Sequence, residues 1–394
     1  DLTFRPAGSY WWRQVGQDYW DNGTTKQAEA NKSPYGYGYR NNDEKFSWQV
    51  TNTLSYNFDI AEKHQFTALL GQETIYSESM KLDNEYREFS DGNFGLNDVA
   101  MGTPYTYKSG KSKDGMVSFF GRLSYNFNSR YLLTATMRAD GSSKFARGNQ
   151  WGYSPSASAA WRISEESFME DFVNLDNLKL RAGYGIAGNN NIDNNMYATT
   201  YGSGHYGYNG GDFITYVPGS TLGNKNLKWE KTATTNIGVD VSLFGSRINL
   251  SMDWYNNESN NLLIKNKIPS STGYTEQFQN LGSIRNRGIE IVLNTTNIRT
   301  KDFTWTTDFN IAFNRSKVLE LYGKEGASNY FIQDYESRMG YKIEVGKPLG
   351  QYYGLVYDGI YTTEDFTQNA DGTYTLKPDV SYLKGSTRSK VKPG

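Results

Sequence analysis

Apolar and polar residues alternate with a period of two along much of this chain. The clearest stretch is Lys45–Phe58, where every even position except Asn52 is apolar or aromatic and no odd position is apolar. Successive side chains of a strand point to opposite faces, so this stretch predicts one apolar and one polar face. It is more than twice the usual strand length of roughly five or six residues. Long two-faced strands are typical of a barrel wall with lipid outside and water inside.

The same alternation recurs in further runs, and short turns join several of them into hairpins. Only three residues separate Phe127 from Tyr131, and Phe244–Arg247 separates two more alternating runs. We expect about eleven or twelve strands in all. Apart from these hairpins, the predicted strands include His64–Ser77, Tyr153–Ile163, Leu178–Gly185 and Gln351–Tyr361.

Long polar loops rich in glycine and aromatic residues alternate with the short turns. They are predicted at roughly 11–44, 78–113, 140–152, 188–226 and 257–282. A structureless loop of more than about 15 residues is unusual in a compact soluble domain, whereas outer-membrane barrels have long extracellular loops and short periplasmic turns. The one helical-looking segment is Ser164–Phe172, where Ser167 and Glu170 have the spacing of a capping box.

Composition fits this interpretation without requiring it. The chain has 31 Tyr, 20 Phe, 9 Trp and 40 Gly, which suits aromatic girdles and glycine-rich loops. A mean hydropathy of −0.71 is compatible with a barrel, since only every second residue of a strand meets lipid. A soluble β sandwich or a glycan-binding β protein would have a similar composition. The aromatic residues predicted to flank short turns are Phe58, Phe127, Tyr131, Phe244, Phe303 and Trp305, and those predicted nearer the long-loop ends are Trp229 and Trp254.

Several classes of function are disfavoured. With 41 basic and 42 acidic residues, nothing in the net charge points to nucleic acid. The chain has no cysteine and only two histidines, which disfavours thiolate and histidine metal sites and a histidine-based catalytic triad. No pair of carboxylates has a spacing that demands acid–base chemistry, and we predict no metal and no cofactor. The G-x-G-x-x-G pattern at Gly183–Gly188 lacks the helix that a dinucleotide site needs. We interpret Asp140–Phe145 as a turn rather than a calcium or ligand contact.

Aromatic residues in or beside the long loops are the candidate contacts for a substrate or a partner. Flat rings can stack on sugars or hold peptide side chains, although packing within the loops is the alternative. The candidates are Trp11, Trp12, Tyr35, Tyr37, Tyr39, Trp151, Tyr153, Tyr206 and Tyr208.

Two blocks of sequence carry more than periodicity. One is Phe119–Met169, with DGSSKF, GNQWGY and AWRISEE in order, and the other is Leu227–Leu319, with LKWEKT and NRGIE. Together with Gln351–Ile360, they resemble the SusC/RagA family of TonB-dependent outer-membrane transporters in order and spacing. The resemblance spans most of residues 45–361.

The resemblance implies an all-β fold: a transmembrane antiparallel barrel of about 22 strands, plugged by an N-terminal domain. Residues 1–394 would then be part of the barrel domain, with the plug and the last strands absent. It also implies location in the outer membrane of a Gram-negative bacterium and active import of an oligosaccharide or peptide. Such transport makes and breaks no bond in its cargo, so the resemblance implies that the chain is not an enzyme. The implied partners are a SusD-like lipoprotein, the TonB complex acting through a plug, and outer-membrane lipid. The alternatives are a passive porin-like channel, an outer-membrane enzyme or adhesin barrel, and a soluble glycan-binding β protein.

Overall fold

The computed structural model describes residues 1–26, 35–91, 93–208, 211–322, 329–336, 339–354, 356–357, 359–382 and 388–393. Its larger unit, Asp1–Asn329 with Glu344–Leu349, contains an antiparallel sheet of eleven strands in chain order. The strands are β1 (Leu2–Asp21), β2 (Tyr37–Ile60), β3 (His64–Arg87), β4 (Thr103–Phe127), β5 (Tyr131–Ser142), β6 (Trp151–Arg162), β7 (Leu175–Asn189), β8 (Glu230–Leu243), β9 (Ile248–Asn260), β10 (Ser283–Arg299) and β11 (Thr304–Glu320).

Shorter elements lie in the connections. In the larger unit these are the strands Tyr201–Tyr208, Gly211–Pro218, Thr221–Leu222, Leu263–Lys267 and Glu276–Asn280, and the 3-10 turns Gly95–Asn97, Val99–Met101, Ile163–Glu165, Ser167–Met169 and Ser270–Thr272. The later part of the chain has the strands Tyr330–Glu336, Met339–Glu344, Gln351–Gly354, Phe366–Gln368 and Tyr374–Leu376, and the 3-10 turns Thr363–Asp365 and Arg388–Lys390. No helix in the described ranges is long and apolar enough to cross a membrane.

The register places the apolar positions of neighbouring strands side by side. One row of paired residues crosses the sheet from β2 to β11, and every residue in it is apolar or aromatic. The row is Phe58, Phe66, Tyr125, Leu133, Ala159, Ala182, Ile237, Trp254, Ile289 and Phe313. Ile237 and Phe313 are 54% and 59% exposed. This apolar face therefore has no second layer packed on it at these positions.

The opposite face is polar along the same strands. A second row of paired residues lies three residues further along each strand toward the long loops. It contains a single apolar side chain, Leu69. The row is Ser55, Leu69, Arg122, Thr136, Ser156, Gly185, Thr234, Asn257, Asn286 and Ser316. The two-faced strands predicted from the alternation are thus confirmed.

The accessible surface shows how little of the sheet is covered. Trp48, Val239, Leu250 and Ile311, which a soluble sandwich would have to bury, are all at least partly exposed. The sheet is therefore built to be covered from outside the chain.

Asn52, the polar exception on the apolar face of β2, is satisfied by its neighbours. Its Nδ2 donates to Gln72 Oε1 at 3.1 Å, and Gln72 Nε2 donates in turn to Thr74 Oγ1 at 2.6 Å. Polar groups in an apolar environment are tolerated when they are hydrogen-bonded in this way. The short chain of amides and hydroxyl explains why the alternation can be broken here.

Glycines on the polar face let long side chains cross a strand. Arg181 on β7 passes over Gly238 on β8 and reaches Asp253 on β9, where its Nη1 lies 2.9 Å from Oδ1. A Cβ at position 238 would lie 2.7 Å from Arg181 Nη2 and 2.4 Å from Asp253 Oδ1. Tyr255 crosses Gly288 in the same way and donates to Asn314 Oδ1 at 3.1 Å. In both places a side-chain contact spans three successive strands, in addition to the backbone hydrogen bonds between them.

Several predicted boundaries were wrong. The predicted loop 11–44 is mostly strand, because β1 continues to Asp21 and β2 begins at Tyr37, and the predicted loop 78–113 shrinks in the same way. The cause is physical: once a strand leaves the apolar band, both of its faces are polar and the alternation disappears. Gln351–Tyr361 is a strand only as far as Gly354, and Gly359 has a φ of +113°, which is incompatible with a continuous strand.

The helical-looking segment also differs from the prediction. Ser164–Phe172 forms the two 3-10 turns Ile163–Glu165 and Ser167–Met169, and no side chain caps the second turn. The residue that holds this segment is Glu166. Its Oε1 accepts from Tyr131 Oη at 2.6 Å and from Trp161 Nε1 at 2.9 Å, while Arg130 Nη1 lies 3.0 Å from Oε2.

Glu166→Gln is expected to loosen this turn at neutral pH. The hydrogen bonds from Tyr131 and Trp161, and then the charge of Arg130, hold the pKa of Glu166 below its ordinary value of 4.5. The stabilisation is therefore complete above 4.5 and is lost as the pH falls through the lower folded-state pKa. Amide exchange over residues 163–172 should be faster in the variant at pH 7, and the difference should vanish in acid. Glu165→Gln, which removes only a more exposed ion pair with Arg162, should have a smaller effect.

Candidate functional site

Strands β1–β4 continue at the long-loop end beyond the point where β5 stops. We call this extension the wing, and it comprises residues 10–21, 37–48, 76–87 and 103–115. One face of the sheet is apolar nearer the short turns, and on that face the wing carries Glu44, Glu78 and Lys113. Glu78 pairs with Lys113 at 3.4 Å. These charges show that the outer part of the wing, from Glu44, Glu78 and Lys113 toward the loops, lies beyond the apolar band.

Three tyrosines cluster on the other face of the wing, near its tip. The rings of Tyr19 and Tyr39 stack with centroids 5.2 Å apart, and Tyr37 meets Tyr19 edge-on at 5.9 Å. The Arg87 guanidinium lies 5.7 Å from the Tyr37 ring and pairs with Glu85. Burial, and then the charge of Glu85, raises the pKa of Tyr37, so its hydroxyl stays neutral. The cluster presents flat rings together with polar groups.

Gly36 and Gly38, on either side of Tyr37, face the opposite side of the wing, where they leave space for a small apolar core. Gly36 has a φ of +116°, and a Cβ there would lie 2.7 Å from the Trp20 ring. Trp20 packs edge-on against Phe89 at 4.5 Å, and Leu96 joins them. The alternation of Tyr and Gly at 35–39 thus divides the segment into a packed side and a side available for contacts.

The remaining aromatic candidates are dispersed. Trp11 and Trp12 lie within β1 rather than in a loop; Trp12 Nε1 donates to Glu44 Oε1 at 2.9 Å, and Lys45 lies 5.9 Å from the Trp11 ring. Tyr35 is exposed in the turn before β2.

Trp151 and Tyr153 begin β6 on the apolar face, where Trp151 stacks on Phe119 at 6.3 Å. Tyr206 and Tyr208 belong to the strand Tyr201–Tyr208, but their side chains lie outside the described residues. The structure therefore brings together Tyr37 and Tyr39, and it does not bring the whole set into one site.

A second feature was not predicted: apolar residues from separate loops form a core at the long-loop end. Phe145, Ile192, Leu227 and Trp229 are almost fully buried together. Trp229 Nε1 donates to the Gln150 carbonyl at 2.9 Å. Trp229 lies at the long-loop end, as predicted, but it is buried in this core and does not face lipid in an outer girdle. Phe145 anchors the segment that follows β5 in this core, which gives that motif a structural role. The predicted turn at Asp140–Phe145 begins only after Ser142, because Asp140–Ser142 still belongs to β5. Isolated apolar residues within polar loops were the signal in the sequence.

Beside this core lies a polar pocket of about 570 Å³, which we call the mouth pocket. Ser112 belongs to the polar face of β4, so the pocket opens on that side of the sheet. Asn194 Nδ2 donates to Ser112 Oγ at 2.6 Å and fixes one loop against β4. The lining residues are Ser112, Lys144, Asn191, Ile192, Asp193, Asn194, Asn195 and Phe278. Amides, a hydroxyl, one cation, one carboxylate and an aromatic ring can hydrogen-bond and pack against a polar organic ligand.

Fixed charges line the polar face below the pocket. Arg138 Nη2 lies 2.8 Å from Glu73 Oε1, and its Nε lies 2.7 Å from Asp140 Oδ1. Arg181 pairs with both Asp240 and Asp253. Within the described residues no group of three or more His, Cys, Asp or Glu side chains could hold a metal ion. The arrangement is a polar wall with neutralised charges.

Comparison with known proteins identifies the family. The family model described as "TonB dependent receptor-like, beta-barrel" matches residues 1–389. This chain belongs to the TonB-dependent receptor β-barrel family. Family membership, with the two-faced sheet, confirms the predicted transmembrane antiparallel β-barrel fold and places the receptor chain in the outer membrane. It also overturns the alternative of a soluble glycan-binding protein.

Curated relatives of this receptor chain include two with informative names. TonB-dependent receptor P39 of Formosa agariphila is 36% identical over 329 residues, which are 81% of this chain and 30% of the relative. TonB-dependent receptor SusC of Bacteroides thetaiotaomicron is 41% identical over 226 residues, which are 56% of this chain and 22% of the relative. The receptor chain thus spans about a third or less of the relatives it matches, and its resemblance to the SusC/RagA family is confirmed.

Solved structures agree on the fold. The structure described as the RagAB peptide transporter superposes with a TM-score of 0.78 at 23% identity, covering 97% of this chain and 41% of that chain. The Gly183–Gly188 pattern of the receptor chain lies inside β7 and opens no helix, as predicted.

Proposed function

We propose that the protein containing this chain imports a large nutrient, an oligosaccharide or a peptide, across the outer membrane with energy from the TonB complex. The observation that carries the proposal is the match of the TonB-dependent receptor family along residues 1–389. The similarity to a receptor named SusC supports it, as does the structural likeness to one named a peptide transporter. The family is one of transporters, and we propose no catalytic residues.

The proposal gives each surface a physical role. The apolar face meets outer-membrane lipid, and the polar face lines the transport path. The mouth pocket is proposed to contact the nutrient, because its amides and charges can hydrogen-bond with it and Phe278 offers an apolar surface. A SusD-like lipoprotein is proposed to bind above the barrel, with Tyr37 and Tyr39 on the wing among its contacts.

Uptake measurements test the transport function. Cells that carry the full-length receptor are given separate pools of fluorescently labelled oligosaccharides and labelled tryptic peptides. We expect receptor-dependent accumulation of material from one pool, and loss of that accumulation when TonB is depleted. Accumulation that persists without TonB would instead support a passive porin-like channel, and accumulation from neither pool would contradict the proposal.

Removing the wing tyrosines is expected to weaken lipoprotein binding. In the receptor purified from its own membrane, Tyr37→Ala with Tyr39→Ala should reduce the co-purified lipid-anchored protein several-fold, because aromatic side chains contribute strongly at interfaces. Tyr153→Ala is the control, since Tyr153 is an exposed tyrosine on the apolar face of β6, away from the wing. Equal recovery of the lipoprotein from all three proteins would remove the wing tyrosines from the proposed interface.

A further inference from the structure

The connection between β6 and β7 lies at the short-turn end, and we call its residues 163–174 the foot. Glu166 in the foot accepts hydrogen bonds from Tyr131 and Trp161. Both rings lie on the apolar face of the sheet, where they stack at 6.4 Å. Tyr and Trp at a membrane interface keep the ring in the apolar phase and the polar atom at its edge. The Glu166 carboxylate therefore holds the foot on the lipid side of the wall, at the level of the aromatic girdle.

The foot exposes an unusual amount of apolar surface for a short polar connection. Phe168 is 62% exposed, Phe172 is 59% exposed and Val173 is 90% exposed. No element in the described part of the chain buries these three side chains. In a turn surrounded by water they would carry an unfavourable hydration cost with no gain in packing.

We propose that the foot is a membrane-interface anchor, in which Phe168, Phe172 and Val173 insert into the periplasmic leaflet beside the barrel wall. The occupant is lipid because the foot continues the apolar face that lipid already covers, and because Glu166 fixes it to that face. The sequence of the foot, ISEESFMEDFVN, contains acidic residues and no lysine or arginine. Insertion is therefore driven by apolar burial and not by attraction to anionic headgroups.

The test uses single cysteines in the full-length receptor, with any cysteines outside this chain replaced. This chain has none of its own. Phe168→Cys and Val173→Cys are labelled with an environment-sensitive dye, and the protein is reconstituted in phosphatidylethanolamine bilayers that contain brominated lipid. Asn128→Cys is the matched control, because Asn128 is an exposed polar residue in the neighbouring short turn at the same end. Heat-dependent gel mobility confirms that each variant is folded.

We expect lipid quenching several-fold stronger at positions 168 and 173 than at 128, and little change when salt is raised. Adding Glu166→Ala should reduce quenching at 168 without affecting 128. Quenching by aqueous iodide at 168 and 173 as strong as at 128 would overturn the proposal. So would labels shielded only in intact cells, since that result would indicate a periplasmic protein as the occupant.

Discussion

Val239→Arg in the full-length receptor is expected to lower the stability of the membrane-inserted barrel by about 2–4 kcal/mol, the cost of a lipid-facing arginine near the bilayer midplane. Val239 lies in the middle of the apolar positions of β8, between Leu180 and Met252 on the neighbouring strands, and is partly exposed. A guanidinium at this position has neither water nor a carboxylate within reach on the apolar face. Folding would therefore bring an unpaired charge into hydrocarbon.

Thr234→Arg provides the matched control. Thr234 is five residues away on the same strand and lies on the polar face, between Gly185 and Asn257. Urea titration of barrel folding into lipid vesicles would compare the two variants. The control should differ from the parent protein by no more than about 0.5 kcal/mol. If both substitutions destabilised the barrel equally, the assignment of the two faces would be wrong.

Gly238→Ala is expected to destabilise the barrel by about 1–3 kcal/mol, although it adds one methyl group to an open polar face. The reason is that the Arg181 side chain occupies the space above Gly238 on its way to Asp253. Either the guanidinium or the strand must move, and the charged hydrogen bonds across three strands would be lost. The same urea titration measures the effect.

Two comparisons isolate this cause. Gly183→Ala places a methyl group on the same face of the neighbouring strand, where the nearest atom, Ser158 Cβ, would lie at an ordinary 3.7 Å. That variant should be close to neutral. Combining Gly238→Ala with Arg181→Ser should cancel most of the cost of the glycine substitution, because a shorter side chain no longer crosses the strand and Asp253 can turn away. A cost that persists in the double variant would indicate backbone strain instead.

The alternation of apolar and polar residues predicted the membrane-spanning parts of the strands better than it predicted where the strands end. Within the apolar band a strand must alternate, so Lys45–Phe58 predicts the central part of β2 from sequence alone. Above the band both faces are solvated, and the pattern no longer distinguishes the wing strand around Asn42 from a loop. To predict where such strands end, one must know which residues of neighbouring strands pair, as Asp18 pairs with Arg40.

The mouth pocket could not be predicted in the same way. It depends on Asn194 reaching Ser112, two residues far apart in the sequence that meet only after the loops fold over β4. The apolar residues that hold those loops, such as Phe145 and Leu227, lie singly among polar neighbours and give no periodic signal. By contrast, the girdle position of Tyr131 beside a short turn was predictable, because a hairpin turn fixes which residues flank it.

The border of the apolar face carries one more consequence. A second row of paired residues lies on the same face as the apolar row, two residues closer to the long loops on every strand. It consists of Tyr56, Ala68, Leu123, Ala135, Ala157, Tyr184, Thr235, Asn256, Arg287 and Arg315. This row is apolar or aromatic as far as Tyr184 and ends on two arginines. The boundary between lipid and water must therefore cross the rows of paired residues at an angle. The strands are consequently tilted from the bilayer normal, as barrel closure requires. The direction of the lean follows from Arg287 and Arg315: across the wall from β2 to β11, each strand is shifted outward toward the cell surface relative to the one before it.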